Sequence, residues 1–309
     1  MHGRVKMRAQ FTKTVMDIGE DEKVVLLVGD IGVWGLRHFK EKYPTRFYNI
    51  GICEQSMMSL SAGLAMAGLI PIIHSITPFV TERCFEQIKD DFCYQGLGGN
   101  IVSVGSCFDY AGLGCTHHCY SDIAIIRALP RTQIIYPASE IEFDLLMKQT
   151  YNNNKLTYFR LPQKKHSYKF SQDQIKFGKG IKVSEGKDIT VIAAGPQLEN
   201  VLKAKVDLEN ENIFPEIIYI HTIKPLDKDI IRNSAVKTKR VLTIEEHNIL
   251  GGLADEVSRN LEDMGGVAIS RMGVNDEFIT DYGTYEEICK SIDLTPEGIS
   301  KKIRMMVNE

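Results

Sequence analysis

Several things are scarce in this sequence, and each scarcity closes off a class of protein. It has one tryptophan, Trp34, and no apolar run near the ~18 residues that span a bilayer. The longest candidate, from Ala62 to Ile73, is interrupted by Gly63, Gly68 and Pro71. The first ten residues are basic but no apolar core follows them, so no secretory leader and no membrane contact are expected. Long basic runs are missing too. Lys and Arg total 37 against 40 Asp and Glu, a net charge of −3, which argues against nucleic acid as a partner. No Gly-x-Gly-x-x-Gly follows the first apolar run and no phosphate-loop motif occurs, which disfavours dinucleotide and nucleoside-triphosphate folds. Seven cysteines, an odd count in 309 residues, read as reduced thiols in a cytoplasm rather than as a disulfide framework.

What is present suits a globular chain of about two domains, since 43% apolar residues exclude disorder and low-complexity material. Short β-rich runs at 24–28, 47–50, 70–73, 101–104, 133–136 and 157–161 alternate with helical stretches at 55–67, 81–95, 121–129 and 140–152. The same alternation resumes with strands at 189–193, 216–220, 240–244 and 267–269 and helices at 199–210 and 253–263. The expected class is α/β, two domains with mainly parallel sheets flanked by helices. Between them, 163–187 turns polar and glycine-bearing. The division predicted is a first domain over 1–165, a linker over 166–185 with a short strand at its end, and a second domain over 186–309.

Chemistry concentrates at strand ends. Glu54, in Gly51-Ile52-Cys53-Glu54-Gln55, opens a helix just past a strand, where open α/β sheets bind ligands. The alternative is an ordinary first-turn glutamate. Adjacent histidines, His117 and His118, sit in the Gly-rich stretch Gly112–Cys119 and could carry protons or, with Cys107, Cys115 and Cys119, hold zinc. Zinc is disfavoured because structural sites pair two separate ligand clusters. Arg160 ends a strand, as suits phosphate or carboxylate binding, although a salt bridge explains it equally well. Glu245-Glu246-His247-Asn248 leads into Gly251-Gly252 at another strand end.

Taken in order, Arg8-Ala9, Val28-Gly29-Asp30, Gly51-Ile52-Cys53-Glu54-Gln55, Phe79, Gly114-x-Thr116-His117, Arg127-x-x-Pro130, Arg160-Leu161 and Glu246-His247-x-x-x-Gly251-Gly252 resemble the C-terminal half of a transketolase. That half carries the pyrimidine-binding and C-terminal domains, and the resemblance covers nearly the whole chain. It implies thiamine diphosphate as cofactor, with Mg2+ or Ca2+ bound mainly by a partner. Glu54 then corresponds to the glutamate that hydrogen-bonds the cofactor's aminopyrimidine, and Phe79 to the aromatic stacked on it. Asp30 and Ile52 fall in the cofactor cleft. His117 corresponds to the histidine beside the substrate carbonyl, with His118 next to it. Arg8 and Arg160 correspond to arginines that hold the acceptor's phosphate. No Gly-Asp-Gly motif with a following Asn is present, so the resemblance implies a second polypeptide holding the diphosphate, in an α2β2 assembly.

Three departures bear on substrate. The loop Ala111-Gly112-Leu113-Gly114-Cys115 is about two residues shorter than the family's and lacks its Asp. Cys107 falls where many members place a substrate-binding His. Trp34 falls near a position usually small and hydroxylated. The implied activity is transfer of a two-carbon ketol unit from a ketose to an aldose, with an unusual or nucleotide-linked sugar in the remodelled pocket. The alternatives are a 2-oxoacid dehydrogenase beta subunit and a carboligase like deoxyxylulose-phosphate synthase.

Overall fold

The computed structural model describes residues 6–308. Residues 1–5, part of the basic start read as carrying no leader, and residue 309 lie outside the described residues. The first half of the chain supplies β1 (Val24–Val28), β2 (Phe47–Asn49), β3 (Ile70–Ile76), β4 (Gly99–Val104), β5 (Thr132–Ile135) and β6 (Leu156–Leu161). They lie in the order β5-β6-β4-β3-β1-β2, all parallel. Every residue of β1, Val-Val-Leu-Leu-Val, is buried, as a strand covered on both faces requires. From β1 the chain steps outward to β2, then crosses back to β3 on the other side. The carboxyl ends of β1 and β3 therefore flank a topological switch point, where open sheets leave a crevice.

Later come β7 (Ile181–Ser184), β8 (Ile189–Ala194), β9 (Pro215–Ile220), β10 (Thr222–Lys224), β11 (Arg240–Asn248) and β12 (Ala268–Val274). A second sheet runs β12-β11-β8-β9-β7, with only β7 antiparallel to its neighbour. β10 is absent from it. It crosses to the first sheet and pairs antiparallel with β5, becoming the seventh strand there. Its Lys224 ammonium donates to the carbonyls of Arg127 and Leu129, 3.0 and 2.7 Å away, capping the end of helix Asp122–Ala128. The stretch 166–185 is packed rather than loose. His166 Nε2 lies 2.8 Å from Glu142 Oε1, and Phe170 stacks on Tyr219 with centroids 5.2 Å apart.

The long helix expected over 81–95 is broken. Pro78 starts a short helix earlier, Thr77–Val80, and the Thr81 hydroxyl turns back to the Thr77 carbonyl at 2.6 Å. Helix Phe85–Gln87 then widens into π turns over Ile88–Tyr94. β3 is longer than expected, which puts His74 and Ser75 on a strand. The helices Lys228–Thr238, Tyr285–Ser291 and Pro296–Asn308 add to those foreseen in the second half.

Candidate active site

Helix Glu54–Met66 starts just after β2, and the side chain of Glu54 tucks under the end of β1 with 1% of its surface exposed. A methyl group at Gly29 would stand 3.2 Å from Glu54 Oε1, so the glycine makes room for the carboxylate. Burying a carboxylate is unfavourable unless donors meet it. Here Ser75 Oγ donates to Oε1 at 3.1 Å and Arg83 Nη1 to Oε2 at 2.6 Å. The same guanidinium lies over the Phe79 ring, 4.2 Å from its centroid.

Phe79 carries the line of contacts onward. Its ring meets His117 edge-on at 5.3 Å, and His117 lies 6.0 Å from the ring of Tyr110. Thr116 Oγ1, 2.9 Å from His117 Nδ1, fixes the imidazole's tilt. Arg8 donates to the Tyr110 hydroxyl. Glu54, Phe79, His117 and Arg8 are thus brought together, with Arg83 and Tyr110 as links that sequence reading missed. Asp30 stands at the end of β1 with φ +60°, held by Asn49: its N–H donates to Asn49 Oδ1 at 3.0 Å and its Oδ1 accepts from Asn49 Nδ2 at 3.2 Å. Ile52 is 73% exposed beside the turn into Glu54, an uncovered apolar side chain.

Three expected substrate residues are not on that surface. Arg160 is 0% exposed, and its Nε and Nη2 donate to Asp122 Oδ2 and Oδ1 at 2.6 and 3.1 Å. Its Nη1 is buried without a hydrogen-bond partner, and no face of the guanidinium is open to a phosphate, so the salt bridge is the reading the structure favours. Cys107 is also fully buried, and burial pushes its thiol well up, so it presents no thiolate and no open face to a sugar. His118 turns away from His117. It is buried, its pKa is lowered by that burial, and it lines a separate hollow with Glu82, Tyr120 and Phe278.

A hollow of about 670 Å3 opens past the end of β1, lined by Arg8, Phe11, Thr12, Asp30, Trp34 and His74 among others. Burial drives the His74 pKa down to about 4, so the imidazole is neutral at pH 7. Among the described residues no group of three or more His, Cys, Asp or Glu is placed to hold a metal ion, and Cys107, Cys115, His117, His118 and Cys119 form no such group. No described helix is long and apolar enough to cross a membrane.

Glu54, Phe79 and His117 thus lie together past the strand ends of a parallel sheet. The family model for the transketolase pyrimidine-binding domain matches residues 4–167, and that for the transketolase C-terminal domain matches 178–299. The chain belongs to the transketolase family. Within that family, one of the subunits of the apulose-4-phosphate transketolase of Phocaeicola vulgatus is 31% identical over 301 residues, 96% of either chain. The 1-deoxy-D-xylulose-5-phosphate synthase of Halothermothrix orenii is 31% identical over 280 residues, which make up 87% of this chain and 43% of that one. A solved split-gene transketolase, an inactive β4 tetramer, has a TM-score of 0.87 at 29% identity and covers 98% of both chains.

Proposed function

We propose that this chain is the pyrimidine-binding subunit of a split, thiamine-diphosphate-dependent transketolase, moving a two-carbon ketol unit from a ketose to an aldose. The observation that carries this reading is the Glu54 carboxylate, sealed at the switch point yet bonded only by side chains that can move aside. The residues present fit the cofactor. Gly29 opens a cradle against Glu54 Oε1, and the Phe79 ring stands beside the carboxylate under the Arg83 guanidinium. When bound, thiamine diphosphate would supply the electron sink for carbon–carbon cleavage and reformation. Glu54 would hold and pass a proton at the aminopyrimidine nitrogen. Phe79 would hold the ring's face once Arg83 swings out. His117, tilted by Thr116, would donate to the oxygen of the reacting carbonyl, while Asp30 and Ile52 would line the cleft.

The diphosphate and its Mg2+ or Ca2+ belong, on this reading, to a partner subunit in an α2β2 heterotetramer, and the domains divide as 1–165, 166–185 and 186–309. The substrate is, on this reading, an unusual or nucleotide-linked sugar, and the resemblance to a subunit named for apulose 4-phosphate supports the unusual sugar. A second reading, a carboligase joining a decarboxylated 2-oxoacid to an aldehyde, is favoured by the 31% identity to a deoxyxylulose-phosphate synthase. Calorimetry with thiamine diphosphate and Mg2+, on this chain alone and mixed with a partner carrying Gly-Asp-Gly and its Asn, tests the proposal. Tight binding only in the mixture is expected, and binding in neither would overturn it. Turnover of pyruvate in place of a ketose would select the second reading.

A further inference from the structure

We propose that a hollow of about 440 Å3 at the far end of the second sheet binds a phosphate monoester with an apolar body, of the size of a nucleoside monophosphate. The site owes nothing to the function proposed above. It opens where β11 and β12 begin, at Arg240 and Ala268. The other end of β11 packs on the first half of the chain, with the Asn248 N–H donating to the Tyr120 carbonyl at 2.8 Å. Nine residues of strand, roughly 26 Å, separate that contact from the hollow. Its volume falls within the ~300–1,000 Å3 of small-molecule sites.

Three cations border the hollow, Lys239, Arg240 and Lys302, and among the described residues no carboxylate does. Within the described part of the chain none of the three makes a side-chain hydrogen bond or an ion pair. Lys239 has a plain local reason, since it follows helix Lys228–Thr238 and a cation suits a helix's carboxyl end. Arg240 and Lys302 have none. Both are half-buried, and a cation drawn part-way out of water without a counter-charge loses hydration uncompensated. Arg304, on the same helix as Lys302, shows the ordinary arrangement: its Nε and Nη2 each donate to Glu211 at 2.7 Å. A phosphate would supply the missing partner, bidentate on the Arg240 guanidinium with the ammonium groups beside it. β12 is the outer strand of its sheet. Its Ala268 N–H donates inward to the Lys239 carbonyl at 2.9 Å, so the next N–H, of Ile269, lies on the open edge as a further donor. Apolar groups make up the rest. Met305, with half of its surface exposed, shares the hollow with Met306 and Ile269, and thioethers pack well against a flat ring. A cationic rim with an apolar wall selects an organic phosphate over inorganic phosphate.

Calorimetric titration of the full chain with AMP, inorganic phosphate and adenosine should find AMP bound saturably and most tightly, and adenosine most weakly. No saturable AMP binding up to about 10 mM, or adenosine binding as well as AMP, would overturn the proposal. Arg240→Gln and Lys302→Gln remove no bond of the folded chain, and each should weaken AMP about tenfold. Arg240→Lys should recover part of that loss, a point charge standing in for a fork. Met305→Ser should weaken AMP severalfold and leave inorganic phosphate unchanged, and equal effects on both would overturn the apolar wall. Arg37→Gln, whose guanidinium lies 4.4 Å from the Trp34 ring at the other hollow, should change nothing. AMP binding lost in Arg37→Gln and kept in Arg240→Gln would move the phosphate to that hollow and overturn the proposal. Tight binding that appears only in a chain ending at Asn308 would also overturn it, because the terminal carboxylate would then be the partner of these cations. AMP binding that survives where the mixture with a partner binds no thiamine diphosphate would refute the transketolase reading and leave this site standing.

Discussion

Two arginine–carboxylate pairs in the first half of the chain are alike in chemistry and in their closest approach, 2.6 Å in each. Arg83–Glu54 sits at the mouth of the crevice, with the arginine side chain 39% exposed. Arg160–Asp122 lies behind it with both side chains at 0%. The inner pair is also buttressed: Tyr158 donates to Asp122 Oδ2 at 2.6 Å, and the Arg160 guanidinium lies 4.5 Å from the Tyr136 ring centroid. The outer carboxylate has a partner that solvent can take over. The inner one has no such exchange, because water never reaches it. Identical ion pairs thus do different work according to what each could trade its partner for.

The sharpest way to separate them is Glu54→Gln, which should leave unfolding unchanged but lower turnover of the assembled enzyme by about 10²–10⁴-fold. Activity within tenfold of wild type would remove Glu54 from the proposed role. Next in size, Asp122→Ala strands a buried guanidinium and should lower the stability of the chain by about 3–5 kcal/mol in urea denaturation. A loss below about 1 kcal/mol would mean the inner pair behaves like a surface bridge and would erase the contrast.

The smallest effect concerns pH. Asp109 lies close to the inner pair, accepting from Ser106 and the Gln163 N–H, and burial, then the neighbouring Glu246, push its pKa up to about 7. The folded chain then binds a proton that the unfolded chain has released. Its contribution to stability is complete below about pH 4 and declines as pH rises to about 7. His74, held down near 4, acts in the opposite sense, so the comparison must be with Asp109→Asn. The stability of wild type minus that of Asp109→Asn should fall by about 3 kcal/mol at most between those pH values. A flat difference would show that Asp109 stays ionised.

The elements legible in the sequence are those whose cause is local. β1 reads as a buried strand because five apolar residues in a row fit little else. Glu54 reads as a site residue because strand, turn and helix start are contiguous. Arg160 misleads because its partner lies 38 residues away and the two meet only through the folded sheet. Arg83 gives no signal, since nothing in the stretch 79–83 says that one guanidinium will cover Phe79 and reach Glu54. β10 escapes for a plainer reason: a run as short as Thr222–Lys224 is a strand only because β5 lies beside it.

That strand has a consequence for how the protein is made. β5 reads Thr-Gln-Ile-Ile, and until Thr222 has left the ribosome its outer edge has no backbone partner. A nascent chain with its first six strands complete would still carry a raw apolar edge, open to any passing strand of the same kind. The first half is finished only by a piece of the second, so a polypeptide cut between residues 166 and 185 would yield a first fragment that aggregates more readily than the whole.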